Sequence, residues 1–303
     1  MKKILLTVAV AVVTVFGAGA QLLQVRSMEK VRLPMGVRAD QAMLSPDGGT
    51  IVLSDMDGTL KVVDRSSDRV RTVSRTGSMM DIAFTSDGNG IVFREASTDA
   101  SHRRHVAVKN YNLATGATTT IAAPSRTLEA VELRGNVATT IDAGRASDHV
   151  LGREAAAAVS RPVPSIERGL LYLTVDGTRR LASPLGTRGM SYLWPSVSPD
   201  GTRLLFFAAG YGTYTCRLDG TDMQSLGYLY APVWYDNETV VGMQTRDDGV
   251  VTYEGRIIAA AADGTEFQTL TEPSLIAVLP AAAPGRISFT TTDGEIYILN
   301  VTK

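Results

Sequence analysis

Apolar and polar residues alternate along most of this chain in short runs, broken by clusters of turn formers. Leu60-Lys61-Val62 and Val70-Arg71-Thr72-Val73 show the period of two expected of half-buried strands. Ile51-Val52-Leu53, Ile91-Val92-Phe93 and Leu204-Leu205-Phe206-Phe207 are continuous apolar runs, predicting strands buried on both faces. Between runs stand Ser45-Pro46-Asp47-Gly48, Ser86-Asp87-Gly88 and Ser198-Pro199-Asp200-Gly201. There Pro presets φ, Asp bonds nearby backbone and Gly takes positive φ. No long 3.6-residue period interrupts the pattern. The chain reads as all-β.

The pattern repeats, and a repeat decides the fold before any single motif does. Six units of strand, turn, strand, turn are legible. The first covers residues 38–74 and the second 81–122, with an expanded loop at 94–105. The third covers 130–182 and is degenerate. It carries a long insertion at 143–168, within which Glu154-Ala155-Ala156-Ala157-Ala158-Val159 predicts a helical turn or two. The fourth begins at Trp194, the fifth at Pro232 and the sixth at Ile276. The sixth holds only three strands, whereas residues 24–33 form a strand with no unit of its own. Closing a ring of sheets removes open edges, so this spare strand is expected to complete the last unit. The expected architecture is a six-bladed β-propeller of four-stranded antiparallel blades. The mean unit of about 47 residues fits such a blade; seven blades would also fit by length.

The phrase Val197-Ser198-Pro199-Asp200-Gly201, followed by Leu204 to Phe207 and then Asp219-Gly220-Thr221, resembles the WD-like propeller repeat of the TolB family. Related propellers occur in prolyl-oligopeptidase-type peptidases. Residues 44–53 carry the phrase nearly complete and residues 83–93 in part. The resemblance implies the fold. It implies no particular activity, because one fold serves scaffolds, receptors and enzymes.

Met1-Lys2-Lys3, an apolar run from Ile4 to Gly17 and Ala18-Gly19-Ala20 have the form of a secretory signal peptide cleaved after Ala20. The expectation is a single propeller domain over residues 21–303, periplasmic or secreted, with no membrane span once the leader is removed. The net charge is −1, and losing Lys2 and Lys3 makes the remainder more acidic. Nucleic acid is therefore not an expected partner. Cys216 is the only cysteine. It excludes an internal disulfide and reads as a small buried hydrophobe.

Chemistry is sparse. Asp55-Met56-Asp57-Gly58-Thr59 after an apolar strand matches the haloacid-dehalogenase signature, but an alternating strand follows it instead of a helix, so a turn is expected. Asp176, Asp219, Asp263 and Asp293, each before Gly, lack calcium-loop spacing and read as hairpin turns. There is no Gly-x-Ser-x-Gly elbow and no phosphate- or dinucleotide-binding fingerprint, so neither catalytic residues, nor a cofactor, nor a metal are expected. His102-Arg103-Arg104-His105 has metal-compatible spacing, but the two arginines disfavour a cation.

Topology suggests where binding occurs. With each unit's strands lettered a to d from the channel outward, a-to-b and c-to-d turns share one face; b-to-c loops and inter-blade links share the other. The first face is all tight turns. The second collects both insertions, with Arg38, Asp81, His102, Arg103, Arg104, His105, Arg126, His149, Tyr192, Trp194, Tyr228 and Tyr230. Variable loops on a rigid scaffold commonly carry function. Aromatics beside Arg suit an envelope protein, peptide or glycan, although Trp194, Trp234 and Tyr192 could instead fill the inner ends of blades. The competing expectation is a lyase or hydrolase at the channel mouth.

Overall fold

The computed structural model describes residues 21–151 and 162–303. The expected leader and the expected helical turn at 154–159 lie outside them. The described chain forms seven antiparallel sheets. Blade one is β2 (Ala39–Leu44), β3 (Thr50–Asp55), β4 (Leu60–Asp64) and β5 (Arg69–Ser74). Blade two is β6 (Gly77–Phe84), β7 (Gly90–Thr98), β8 (Arg104–Asn112) and β9 (Thr118–Ser125). Blades three and four have three strands each among the described residues: β10 (Leu128–Arg134), β11 (Val137–Asp142), β12 (Arg145–Val150), then β13 (Val163–Glu167), β14 (Leu170–Val175), β15 (Thr178–Leu181). Blade five is β16 (Tyr192–Val197), β17 (Arg203–Ala208), β18 (Gly212–Arg217) and β19 (Gln224–Ser225). Blade six is β20 (Tyr230–Trp234), β21 (Thr239–Asp247), β22 (Thr252–Ala261) and β23 (Phe267–Thr269). Blade seven is β24 (Ala277–Ala283), β25 (Arg286–Thr291) and β26 (Ile296–Thr302), with β1 (Gln24–Lys30) as its outer strand. The first strands of successive blades are neighbours around the ring, except that β6 meets blade one through β3 and β4.

The all-β propeller and its closure by the N-terminal strand match the expectation. β1 pairs antiparallel with β26 from Gln24 opposite Thr302 to Lys30 opposite Tyr297. Leu23, just before it, is buried among Val241, Ile257, Leu270 and Leu299, which joins blades six and seven.

The blade count is seven, the alternative reading, and not six. The third unit is two blades. Its supposed insertion at 143–168 contains β12 and β13, so it is not a b-to-c loop. A parity rule explains the arrangement. A four-stranded blade returns the chain to the face it came from, whereas a three-stranded blade delivers it to the opposite face. After β12 the chain is therefore on the tight-turn face: Leu151 N donates to Asn136 O beside the β10–β11 turn. β13 then runs through the ring in the reverse sense. Its start, Pro162, lies near Gly201 at the far end of β16, and Gly169 at its close accepts from Tyr192 N at the near end. A second three-stranded blade restores the original direction.

The repeated turn is a side-chain cage. Ser198 Oγ donates to Asp200 Oδ1 (2.6 Å) and accepts from Arg203 N (2.9 Å). Ser45 with Asp47 and Thr85 with Asp87 repeat it in blades one and two. These hydroxyl donors, with backbone N–H groups, hold Asp47, Asp87 and Asp200 below the usual carboxylate range. Asp55 is caged as a turn residue, accepting from Met56 N and paired with Lys61.

Six innermost strands carry a register shift near the long-loop end; only the reversed β13 does not. In four of them a non-glycine residue at the bulge is left-handed: Asp81, Trp194, Ala231 and Leu279. The last three each precede a proline. A bulge re-aims side chains, and these occur where the inner strands meet the channel mouth.

Candidate functional site

The long-loop face carries most of the exposed large apolar side chains. Met56 lies in a b-to-c turn, Tyr211 in another, Val250 at the tip of the β21–β22 hairpin, and Met80, Trp194 and Tyr228 near the inter-blade links. The tightest grouping spans blades five and six. The Trp194 ring sits 5.4 Å from Phe207 at 62°, Phe207 is 5.1 Å from Tyr230, and Tyr230 is 6.4 Å from Tyr228. Phe207 is the buried anchor of this chain of rings. Trp194 and Tyr228 are its open ends, 42% and 50% exposed. The Tyr228 hydroxyl donates to Gly210 O at 2.7 Å, which ties its ring to the β17–β18 turn that presents Tyr211. Ring contacts of this kind, one edge-to-face and two tilted, hold aromatic groups rigid, so little entropy is lost when a partner covers them.

The bulge in β16 explains why Trp194 is in the open. Leu193 pairs with Phe207 and the next ladder pair is Ser196 with Leu205. The intervening Trp194-Pro195 is extruded, with Trp194 at φ 47°. Ala231 and Leu279 occupy equivalent bulges, so the bulge belongs to the architecture, and Trp194 is the large aromatic displayed by it.

The other residues picked out from the sequence are distributed as follows. Arg38 is committed to the seam between blades one and seven, its Nε and Nη2 donating to Asp293 O. Asp81 pairs with Arg94 and accepts from Val131 N at 3.1 Å, bridging blades two and three. Surrounding protein pushes the Asp81 carboxyl above the usual carboxylate range, against the Arg94 guanidinium. Residues 94–105 are not a loop. β7 and β8 extend as an arm with its turn at 99–103. His102 and Arg103 are in the turn, and Arg104 and His105 begin β8. Asp99 accepts from Arg103 N and faces His105 Nε2 at 3.0 Å; these partners hold its carboxyl low. Arg126 is exposed between β9 and β10.

Two placements correct the expectation. His149 lies on β12 opposite Ala138, near the tight-turn end, because 143–168 is not a loop on the other face; its Nε2 is 3.2 Å from Thr140 Oγ1. Tyr192 is fully buried. Its hydroxyl donates to Gly186 O and accepts from Leu185 N, both at 2.9 Å, and burial pushes its pKa above the usual phenol value. Trp234 also packs inward, against the blade-six cluster, so of these three rings only Trp194 is displayed. Sequence reasoning missed Phe207 and Tyr211. The signal for Tyr211 was an aromatic between Gly210 and Gly212 in a b-to-c turn.

Among the described residues no group of three or more His, Cys, Asp or Glu is placed to hold a metal ion, and no helix is long and apolar enough to cross a membrane. The arrangement offers surface recognition: rigid aromatic rings, flanked by an ion-paired channel mouth.

No protein-family model matches the chain, and no curated protein matches it. Solved structures do. RRP9 WD40 repeats align with a TM-score of 0.63 at 11% identity, over 92% of this chain and 100% of that one. U3-55K aligns at 0.62 and 10% identity, over 90% and 98%. A chain of the mitotic checkpoint complex aligns at 0.60 and 10% identity, over 96% and 100%. These likenesses establish a β-propeller with WD40-type neighbours and carry nothing further about function.

Proposed function

We propose that this chain is a non-catalytic recognition module of the cell envelope, TolB-like in its repeats, which binds a protein or peptide through its long-loop face. The observation that carries the reading is the ring chain Trp194–Phe207–Tyr230–Tyr228, anchored on the buried Phe207 and exposed at both ends. Tyr and Trp are the side chains that most often dominate interface energetics, and they do so when held rigid over a buried base. Export rests on the basic start, apolar run and small-residue cleavage site of residues 1–20.

The test is capture of partners from an envelope extract by the full chain. Trp194→Ala with Tyr228→Ala is expected to abolish capture, and Asp263→Ala, on the tight-turn face, to leave it intact. Equal loss in both variants sinks the face assignment. Recovery of the protein in the cytoplasm, with residues 1–20 still attached, sinks the envelope assignment separately.

A further inference from the structure

The tight-turn face carries a second concave site, between blades four and five. Leu171 and Leu173 of β14 pack against Tyr192 and Phe206, so this side of the sheet looks toward blade five. Arg180 lies opposite Leu173 in the ladder and so shares that side. β15 is the outermost strand of its sheet among the described residues, and no fourth strand fills the space beside it. The result is a cleft of about 430 Å³ lined by Arg180, Thr202, Arg203, Arg217, Leu218 and Asp219.

The charges there do not cancel. Arg203 is spent on structure: its Nη1 donates to Asp222 Oδ2 at 2.7 Å, and its Nη2 to Thr215 Oγ1 and Asp222 O. Arg217 meets the same Asp222 carboxylate only at 3.9 Å, and its side chain is 67% exposed. Asp219 is occupied by its own turn, accepting from Thr221 N and Oγ1. Arg180 donates to Leu218 O at 2.5 Å; it makes no direct ion pair among the described residues, although its charge and that of Arg217 help to hold the Asp219 carboxyl low. Two guanidinium groups therefore face the cleft with donors to spare, over a base held by Arg203 and beside an apolar wall at Leu218.

We infer that this cleft binds a small ligand through an oxyanion, a carboxylate or a phosphate group, held by Arg180 and Arg217. Guanidinium groups match both anions with paired N–H donors, and the volume falls in the range of small-molecule sites. The site is separate from the aromatic face, and neither depends on the other.

Isothermal titration of the full chain with inorganic phosphate and with citrate tests this. Saturable binding of at least one is expected. It should be weakened about tenfold by Arg217→Gln and lost in Arg180→Gln with Arg217→Gln. Arg180→Lys should keep a measurable part of it. Raising ionic strength from roughly 0.01 M to 0.15 M should weaken it. Phosphate alone saturating assigns a phosphate-bearing ligand; citrate alone, a carboxylate-bearing one. Thermal melting checks that each variant is folded. Failure of both probes to saturate overturns the inference. So does a folded double Gln variant that binds as the unsubstituted chain does, or loss of binding on Trp194→Ala.

Discussion

Leu23→Ala tests the closure of the ring. Leu23 is fully buried although it belongs to the extreme N-terminal end of the described chain. It packs among residues of blades six and seven, and Gln268 brackets its backbone: Leu23 N donates to Oε1 at 2.9 Å and Nε2 donates to Leu23 O at 2.7 Å. Truncating a buried Leu to Ala costs about 2–5 kcal/mol, depending on how far the surroundings relax. Here the pocket walls are paired strands on both sides, which limits collapse, so about 3 kcal/mol is expected. For a large domain each kcal/mol lowers Tm by roughly 2–4 °C, which predicts a fall of roughly 6–12 °C. Thermal and urea melts followed by circular dichroism measure it, with Met35→Ala, at a fully exposed position of the β1–β2 link, as the control. A Leu23→Ala melt within about 1 °C of the control would refute the reasoning: β1 would then be an attached strand and not the closing one.

Three further outcomes are expected. Ser198→Ala removes a buried hydroxyl that both donates to Asp200 and accepts from Arg203 N, and should cost about 1–3 kcal/mol in a urea titration; no change would show that the cage is ornamental. Asp47, Asp87, Asp200, Asp219 and Asp263 are all held below their ordinary value of 3.8 in the folded state. Their stabilisation is thus present above the unfolded value and lost as pH falls through the folded ones. Tm should hold between about pH 5 and 7 and fall only below about pH 4; a decline starting near pH 6 would point to other groups. Cys216 is buried and its thiol is pushed up to about 11, so a thiol reagent at neutral pH should fail with the native chain and titrate one group after unfolding.

Most of the fold was legible because the four-stranded blades share one grammar, an apolar central strand and an alternating outer hairpin, marked in blades one, two and five by a caged Ser/Thr-x-Asp-Gly turn. The spare strand at residues 24–33 pointed to ring closure for the same reason. Blades three and four were illegible for a physical cause. β12, Arg-Ala-Ser-Asp-His-Val, is the outermost strand of a three-stranded sheet and mostly exposed, so it has no buried face to impress alternation on its sequence. β13 is short and reversed, and its Val163-Pro164 start looks like loop chemistry. The missed strands turned two blades into one blade with an insertion, which in turn put His149 on the wrong face. At the candidate site the face could be read from strand parity. Which aromatics are displayed could not: that depends on a bulge that extrudes Trp194 while Tyr192, two residues earlier, turns inward to bond the 185–186 backbone.

The most direct test of the recognition face is site-specific photocrosslinking in the cell. A photoreactive residue replaces Tyr211 in one full-length variant and Asp263 in another, and the adducts are resolved by mass. The recognition-face proposal predicts one discrete protein adduct from position 211 and none from position 263. Adducts from position 263 alone, or the same adduct from both, would contradict it.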